Sequence, residues 1–528
     1  MSTLVHTSAV VFLLVFAGSS VAQQAPISPL QNAQTLIRQG KAAEALPALL
    51  EAYKTQPRNA TICLNIGLAY TQLRQFPDAA RFYRMALDAE PGLSAARKNL
   101  GVVLWFSNEK SQAETEFISL LKTVPSDPVG HFYLGMIEHD RGRFSKAAAH
   151  FQKAGPLAFE NPEAFAAVLE TGLAGSDASL TQKLLQSAGA STVFDEKTWF
   201  QAGLLFGQYG DYRRAVQAFQ RIETTYPDRS ALLRNLGLAQ LEAKSFVDAV
   251  RSLEACLKQG QASSEVYLWL AEAYDGVGNP QQAHDAYTKA IASAPNSEEG
   301  YTALSNFAAA HHNLAFALRV LNLGLEKIPT SSTLMVQRGV IQALDDKIPQ
   351  AEDSFRRAAE AKPDWMLPRL ALGITQLQTA RLPEAIQSFE AAARFRDADY
   401  RVHYLLALAQ VRAGGQNQPD QREHIIARLQ TSLRLNPDQA DSRILLGQTY
   451  LAAGQIDLAV SELEQARKLQ PQSPTAAYQL GTAYRKKGRL VEAGDLMRQF
   501  ERLKARESEE EDLARKQLVQ ILKVVPNP

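Results

Sequence analysis

One spacing governs this chain. Stepping 34 residues at a time from Ala45 gives Ala79, Ala113, Ala147, Thr181, Ala215, Ala249, Ala283, Ala317, Ala351 and Ala385. Six extra residues intervene before Ile425, and the step resumes at Ala459 and Ala493. A fixed period of this size marks a chain of repeated supersecondary units, each too small to bury its apolar face alone. Two further series keep the register. Twelve residues before the alanines stand Gly67, Gly101, Gly135, Gly203, Gly237, Gly339, Gly373, Gly447 and Gly481, with Ala33, Ala271 and Ala407 in other slots. Twelve residues after them stand Pro57, Pro91, Pro125, Pro227, Pro295, Pro329, Pro363, Pro437 and Pro471.

Two helices cross closely only where small side chains meet. A Gly or Ala on a first helix is therefore expected to face the Ala of a second. Proline cannot continue a helix and disfavours helix in the residue before it, so it closes each unit. Between these markers the apolar spacing is helical, as in Leu236, Leu241, Val247, Val250 and Leu253. Each unit is expected to hold two helices of roughly 12–14 residues joined by short turns.

The aligned residues read Leu446-Gly447-x-x-Tyr450 with Ala459, Ala466 and Pro471, and Leu480-Gly481-x-x-Tyr484 with Ala493. Trp199 precedes Gly203, followed by Ala215-x-x-x-Phe219 and Pro227. The A-x-x-x-F element returns at Ala113–Phe117, Ala147–Phe151, Ala351–Phe355 and Ala385–Phe389. This pattern resembles the tetratricopeptide repeat over residues 26–505. The resemblance implies an all-α, right-handed α-solenoid of about fourteen helix-turn-helix repeats, closed by a C-terminal capping helix.

Residues 26–158 carry repeats 1–4, 194–397 repeats 6–11 and 438–505 repeats 13–14. Residues 159–193 are degenerate: Leu169 replaces the small residue, Thr181 the alanine, and Gly172, Gly175 and Ser176 mark the turn. This stretch reads either as a soft joint or as a drifted but ordinary unit. Residues 398–437 hold the insertion, expected to lengthen the polar turn Gly414–Asp420. Residues 506–528 read as the cap: Ser508 and Glu511 form a capping box, and Ala514, Leu518, Ile521, Leu522 and Val525 share one face.

Charge is balanced, 56 Lys and Arg against 55 Asp and Glu, so no nucleic-acid partner is expected. Residues 1–22 resemble a secretory signal. An apolar run from Ala9 to Ala17 precedes Ser20 and Ala22, small residues at −3 and −1 of a cut before Gln23. The run is too short for a bilayer, which needs about 20 apolar residues. The expected mature chain is exported — periplasmic, envelope-associated or secreted — without a transmembrane segment. Cys63 and Cys256 read as two separately buried thiols.

No phosphate loop, nucleophile elbow, H-E-x-x-H or Rossmann fingerprint occurs, so no catalytic residue, cofactor or metal is expected. His311-His312 reads as a turn. His131, His139 and His150 fall in one unit at spacings that disfavour a shared metal. Asn59-Ala60-Thr61 matches a glycosylation sequon, yet suits a helix start better.

The resemblance also implies a concave groove lined by the first helices. Carried onto this chain, its positions give Leu64, Leu68, Val102, Trp105, Phe132, Met136, Phe200, Leu204, Leu238, Leu241, Val336, Val340, Leu370, Ile374, Leu377, Tyr404 and Leu408. So apolar a groove would take a helix or an extended apolar segment from another protein. The same residues read equally as packing between units. Lys98-Asn99 and Arg234-Asn235 resemble the start of a carboxylate clamp, but Val102 and Leu238 stand where its next Asn belongs, so that mode is not expected. The function expected is a protein-interaction scaffold of the envelope or an export assembly. The alternative is a polysaccharide or peptidoglycan factor, which the scatter of Trp105, Trp199, Trp269 and Trp365 over four units disfavours, and a third reading is an enzyme with an unrecognised site.

Overall fold

A computed structural model describes residues 29–504, apart from 192, 261 and 396–398. The signal-like leader and the capping segment lie outside the described residues. Those residues are helical hairpins with no β-strand. The chain divides into two compact units, up to Gln259 and from Gly260.

The first unit holds α1 (Pro29–Arg38), α2 (Ala42–Thr55), α3 (Ala60–Gln72), α4 (Phe76–Ala89), α5 (Ser94–Phe106), α6 (Lys110–Thr123), α7 (Pro128–Asp140) and α8 (Phe144–Ala154). After the short α9 (Pro156–Phe159) come α10 (Phe165–Ala174), α11 (Ala178–Ala190), α12 (Glu196–Gln208), α13 (Tyr212–Arg221), α14 (Arg229–Glu242) and α15 (Phe246–Lys258). The second unit holds α16 (Ser264–Gly276), α17 (Pro280–Ser293), α18 (Glu298–Ala310), α19 (Leu314–Lys327), α20 (Ser332–Leu344), α21 (Ile348–Ala361), α22 (Leu367–Gln378) and α23 (Leu382–Ala393). It continues with α24 (Tyr400–Arg412), α25 (Pro419–Leu435), α26 (Ala440–Ala452), α27 (Ile456–Leu469), α28 (Pro474–Lys486) and α29 (Leu490–Lys504). Within each unit, hairpins stack on their sequence neighbours.

The hairpins close in a way that adds to one expectation. Nearest to the glycine of the first helix lies the ring or branched side chain sixteen residues on, and at Gly481 the carbonyl of Ala493 is also within 3.5 Å. A Cβ on Gly67 would stand 2.5 Å from Tyr83, on Gly101 2.7 Å from Phe117, on Gly339 2.6 Å from Phe355 and on Gly447 2.5 Å from Leu463. The rings fill the gap the missing side chains leave, and Tyr83, Phe117 and Phe355 are fully buried. The alanines, also fully buried, keep the backbones close beside them.

Each turn between paired helices carries one residue in the left-handed region. Seven are glycines: Gly40, Gly142, Gly210, Gly278, Gly414, Gly454 and Gly488. Seven are not: Arg74, Asn108, Ser176, Lys244, His312, Asp346 and Ala380. A left-handed L-residue costs about 1–2 kcal/mol, against about 0.5–1 kcal/mol for the extra freedom that glycine loses on folding. Ala380→Gly is therefore expected to stabilise the chain by about 0.5–1 kcal/mol in urea unfolding, and Gly454→Ala to destabilise it similarly. A loss of stability in Ala380→Gly would contradict this reading of the turn.

A second joint recurs at the unit ends. Four residues before the glycine slot, a side chain donates to the carbonyl of the proline that closed the previous unit. Arg97 Nη2 reaches Pro91 O at 3.0 Å, Tyr301 Oη reaches Pro295 O at 2.9 Å and Arg443 Nη2 reaches Pro437 O at 2.8 Å. The same arginines cross to the second helix, Arg97 to Glu116 at 3.0 Å and Arg443 to Glu462 at 2.7 Å.

Both irregular regions form hairpins. In the degenerate repeat Leu169 and Thr181 are buried, but α12 packs on α10 rather than chiefly on α11, so this joint differs from the others. The insertion does not simply lengthen a polar turn. It is absorbed by a short 3-10 turn, Gly415–Asn417, and by α25, which at 17 residues exceeds its neighbours. Pro419 starts that helix because its fixed φ suits the first turn.

Candidate binding surface

The residues assigned to a groove stand three before, one after or four after the glycine slot. Eleven are buried: Leu64, Leu68, Val102, Phe132, Leu241, Val336, Val340, Leu370, Ile374, Leu377 and Tyr404. Most of these belong to the continuous cores of their own units. Their apolar surface is already buried within the fold. Trp105, Met136, Phe200, Leu238 and Leu408 are half-buried. Leu204 alone of the seventeen is exposed, at 43%.

Leu204 is open for a local reason. Three residues on stands Gly207, where a Cβ would meet nothing within 4 Å. Equivalent slots hold Trp105, Leu241 and Leu377. A side chain that covers the neighbouring position elsewhere is missing here. A cavity of about 300 Å³ results, with Leu204, Gly207, Phe219 and Leu238 as its apolar lining and Asn235 and Glu242 among its polar lining. Asn235 donates Nδ2 to Ala231 O at 2.8 Å. Glu242 is exposed. Residue-by-residue transfer of groove positions found Leu204 and Leu238 but not Gly207. The sequence signal for the cavity was a glycine in a slot usually held by a bulky residue.

The carboxylate-clamp look-alike is built otherwise. Lys98 forms an ion pair with Asp127, and both side chains are largely buried. Asp127 also caps α7, accepting from Val129 N at 3.0 Å and Gly130 N at 2.9 Å. The lysine thus serves the fold. The tryptophans are likewise engaged: Lys110 lies 4.9 Å from the Trp105 ring, Arg221 4.4 Å from Trp199 and Lys362 5.4 Å from Trp365. Trp269 is half-buried.

The histidines of the fourth repeat do not converge. His131 meets His150, whereas His139 pairs with Glu170 at 3.1 Å. Among the described residues no group of three His, Cys, Asp or Glu side chains could hold a metal. His311 ends α18 and bonds Asp275 at 2.8 Å, and His312 is the left-handed turn residue. Asn59 caps α3, accepting from Ile62 N at 3.1 Å. Cys63 and Cys256 are free and buried, and burial raises both thiols above the usual range. No described helix is long and apolar enough to cross a membrane.

The chain is similar to BBSome complex member BBS4 of Bos taurus, 24% identical over 266 residues, covering 49% of this chain and 50% of that protein. It is also similar to Protein O-mannosyl-transferase TMTC3 of Homo sapiens, 23% identical over 238 residues, covering 42% of this chain and 25% of that one. The chain thus matches half or less of the length of these curated relatives. Among solved structures, a chain of the APC/C hetero-tetramer Cut9-Hcn1 aligns with a TM-score of 0.36 at 14% identity, over 95% of this chain and 96% of that one. A tetratricopeptide-repeat profile matches residues 30–94, 98–158, 200–264 and 444–507, and a second profile of the same description matches 240–306. With more than half of its residues covered by these profiles, the chain belongs to the tetratricopeptide-repeat family.

Proposed function

We propose that the chain is a non-catalytic protein-interaction scaffold of the cell envelope or of an export assembly, and that it acts after export. The observation that carries the binding half is the cavity between α12, α13 and α14. It is an apolar recess at Leu204 and Leu238, two of the groove positions that the resemblance implies, left open by Gly207. Its chemistry suits a segment bearing one bulky apolar residue followed by a basic one. The apolar side chain fills the recess beside Leu204 and Leu238, and the basic group meets exposed Glu242. The export half rests on the leader alone.

Selection from a displayed library of 12-residue peptides against the full chain tests the site. Peptides with an apolar-basic pair are expected, and Gly207→Trp should weaken their binding at least tenfold, about 1.4 kcal/mol. The open surroundings of Gly207 leave room for that side chain, so thermal stability should stay unchanged. Equal binding to the variant would rule out this recess while leaving the scaffold reading in place. For export, the amino terminus of the envelope-fraction protein should be Gln23. An intact Met1 in a cytoplasmic fraction would end that half of the reading.

A further inference from the structure

The joint at the start of each repeat is built differently in the fourth one. Arg97–Glu116 and Arg443–Glu462 are ion pairs nineteen residues apart, and Tyr301 stands at the same spacing from Val320. At the same positions the fourth repeat has two histidines. His131 Nδ1 lies 2.9 Å from His150 Nδ1, and His131 Nε2 lies 2.9 Å from Pro125 O. His131 is buried and His150 half-buried.

We propose that His131 and His150 form an acid-sensitive staple. It holds α7 and α8 to the preceding turn at neutral pH and loosens as the solution is acidified, while the Arg–Glu staples do not respond.

The proton count follows from the geometry. A carbonyl only accepts, so Nε2 of His131 carries a proton toward Pro125. Neutral His131 then offers a bare Nδ1, and His150 must donate from its own Nδ1. The pair can take one further proton, on His150 Nε2, and keep this bond. A second proton would fall on His131 Nδ1 and set two N–H groups against each other at 2.9 Å. The unfolded chain has no such limit, and both imidazoles protonate there near pH 6.5. Folded, the pair therefore holds at most one of the two protons that the unfolded chain takes up.

The surroundings oppose even the first proton. Burial, then His131 and Lys153, hold His150 below the usual histidine range, against a weaker pull from Glu138. Other nearby charges are committed elsewhere. Asp127 is paired with Lys98 of α5, Glu114 of α6 with Arg141, and Glu170 of α10 with His139. Glu163, just before α10, bears on Tyr133. The sign follows by linkage. The folded form binds fewer protons, so the stabilisation is complete above about pH 6.5 and is lost as pH falls below it.

Hydrogen exchange of the full chain at pH 7.5 and 5.5, corrected for intrinsic rates, tests this. Opening of α7–α8 should rise about tenfold at pH 5.5, the change expected from one proton over one pH unit. In His131→Arg/His150→Glu, which copies the Arg97–Glu116 pair, the rise should fall below twofold. His131→Tyr/His150→Val, which copies Tyr301 and Val320, should behave likewise and serves if the first variant folds poorly. An equal rise in wild type and a folded variant would overturn the proposal, as would no rise in wild type.

Discussion

Phe355→Ala should destabilise the second unit by about 3–5 kcal/mol, the range for deleting a buried aromatic ring. Phe355 is fully buried, and its ring fills the space that Gly339 leaves open on α20. Glycine cannot grow into the void, and the close-packed backbone can only partly collapse. In an array, each repeat is stabilised chiefly by its neighbours, so such a loss should detach a local block rather than unfold everything. Urea unfolding followed by circular dichroism should show a new early transition. A shift below about 1 kcal/mol would mean that the ring slot is not where these hairpins close.

The second large effect runs the opposite way. A Cβ on Gly373 would stand 2.6 Å from Phe389, and valine adds two methyl groups in the same place. Overpacking of this kind costs about 1–3 kcal/mol, and Gly373→Val should reach the upper end, about 3 kcal/mol, less a few tenths regained in helix propensity. The informative variant is the double one. Gly373→Val/Phe389→Ala places bulk where the ring was removed, so its cost should be at least 1 kcal/mol below the sum of the single costs. Strict additivity in thermal or urea unfolding would contradict the contact. The cost belongs to hairpins closed on glycine, since Ala271 and Ala407 occupy the same slot elsewhere.

These contacts show what the sequence could and could not carry. Period, hairpin boundaries and the closing prolines were legible because proline and small residues impose backbone constraints that need no partner. The glycines were found for the right physical reason, close approach, but the bulky residue sixteen positions on that packs against most of them was not foreseen. Spacing alone does not say whether Ala351 or Phe355 meets Gly339. The left-handed turns carry no mark common to all: Gly40, Gly142 and Gly210 suit that conformation, whereas Lys244, His312 and Ala380 adopt it against their preference. The insertion looked like loop because it is polar, yet Pro419 and the residues after it extend a helix. The groove list left core and surface as equal alternatives for a general reason. An apolar residue on a first helix can pack against the next repeat or face a guest, and sequence looks alike in both cases. Leu204 and Val340 hold the same slot, yet one is exposed and the other buried, with Gly207 and Ala343 four residues after their glycine slots.

The account's central claim is that stability is passed between adjoining hairpins, several of them closed by a ring on a glycine. Hydrogen exchange of Phe355→Ala against wild type tests it most directly. Protection should be lost in α20 and α21, partly lost in α18, α19, α22 and α23, and retained in α3 to α8. A uniform loss across every described helix, as in one globular cooperative core, would contradict it.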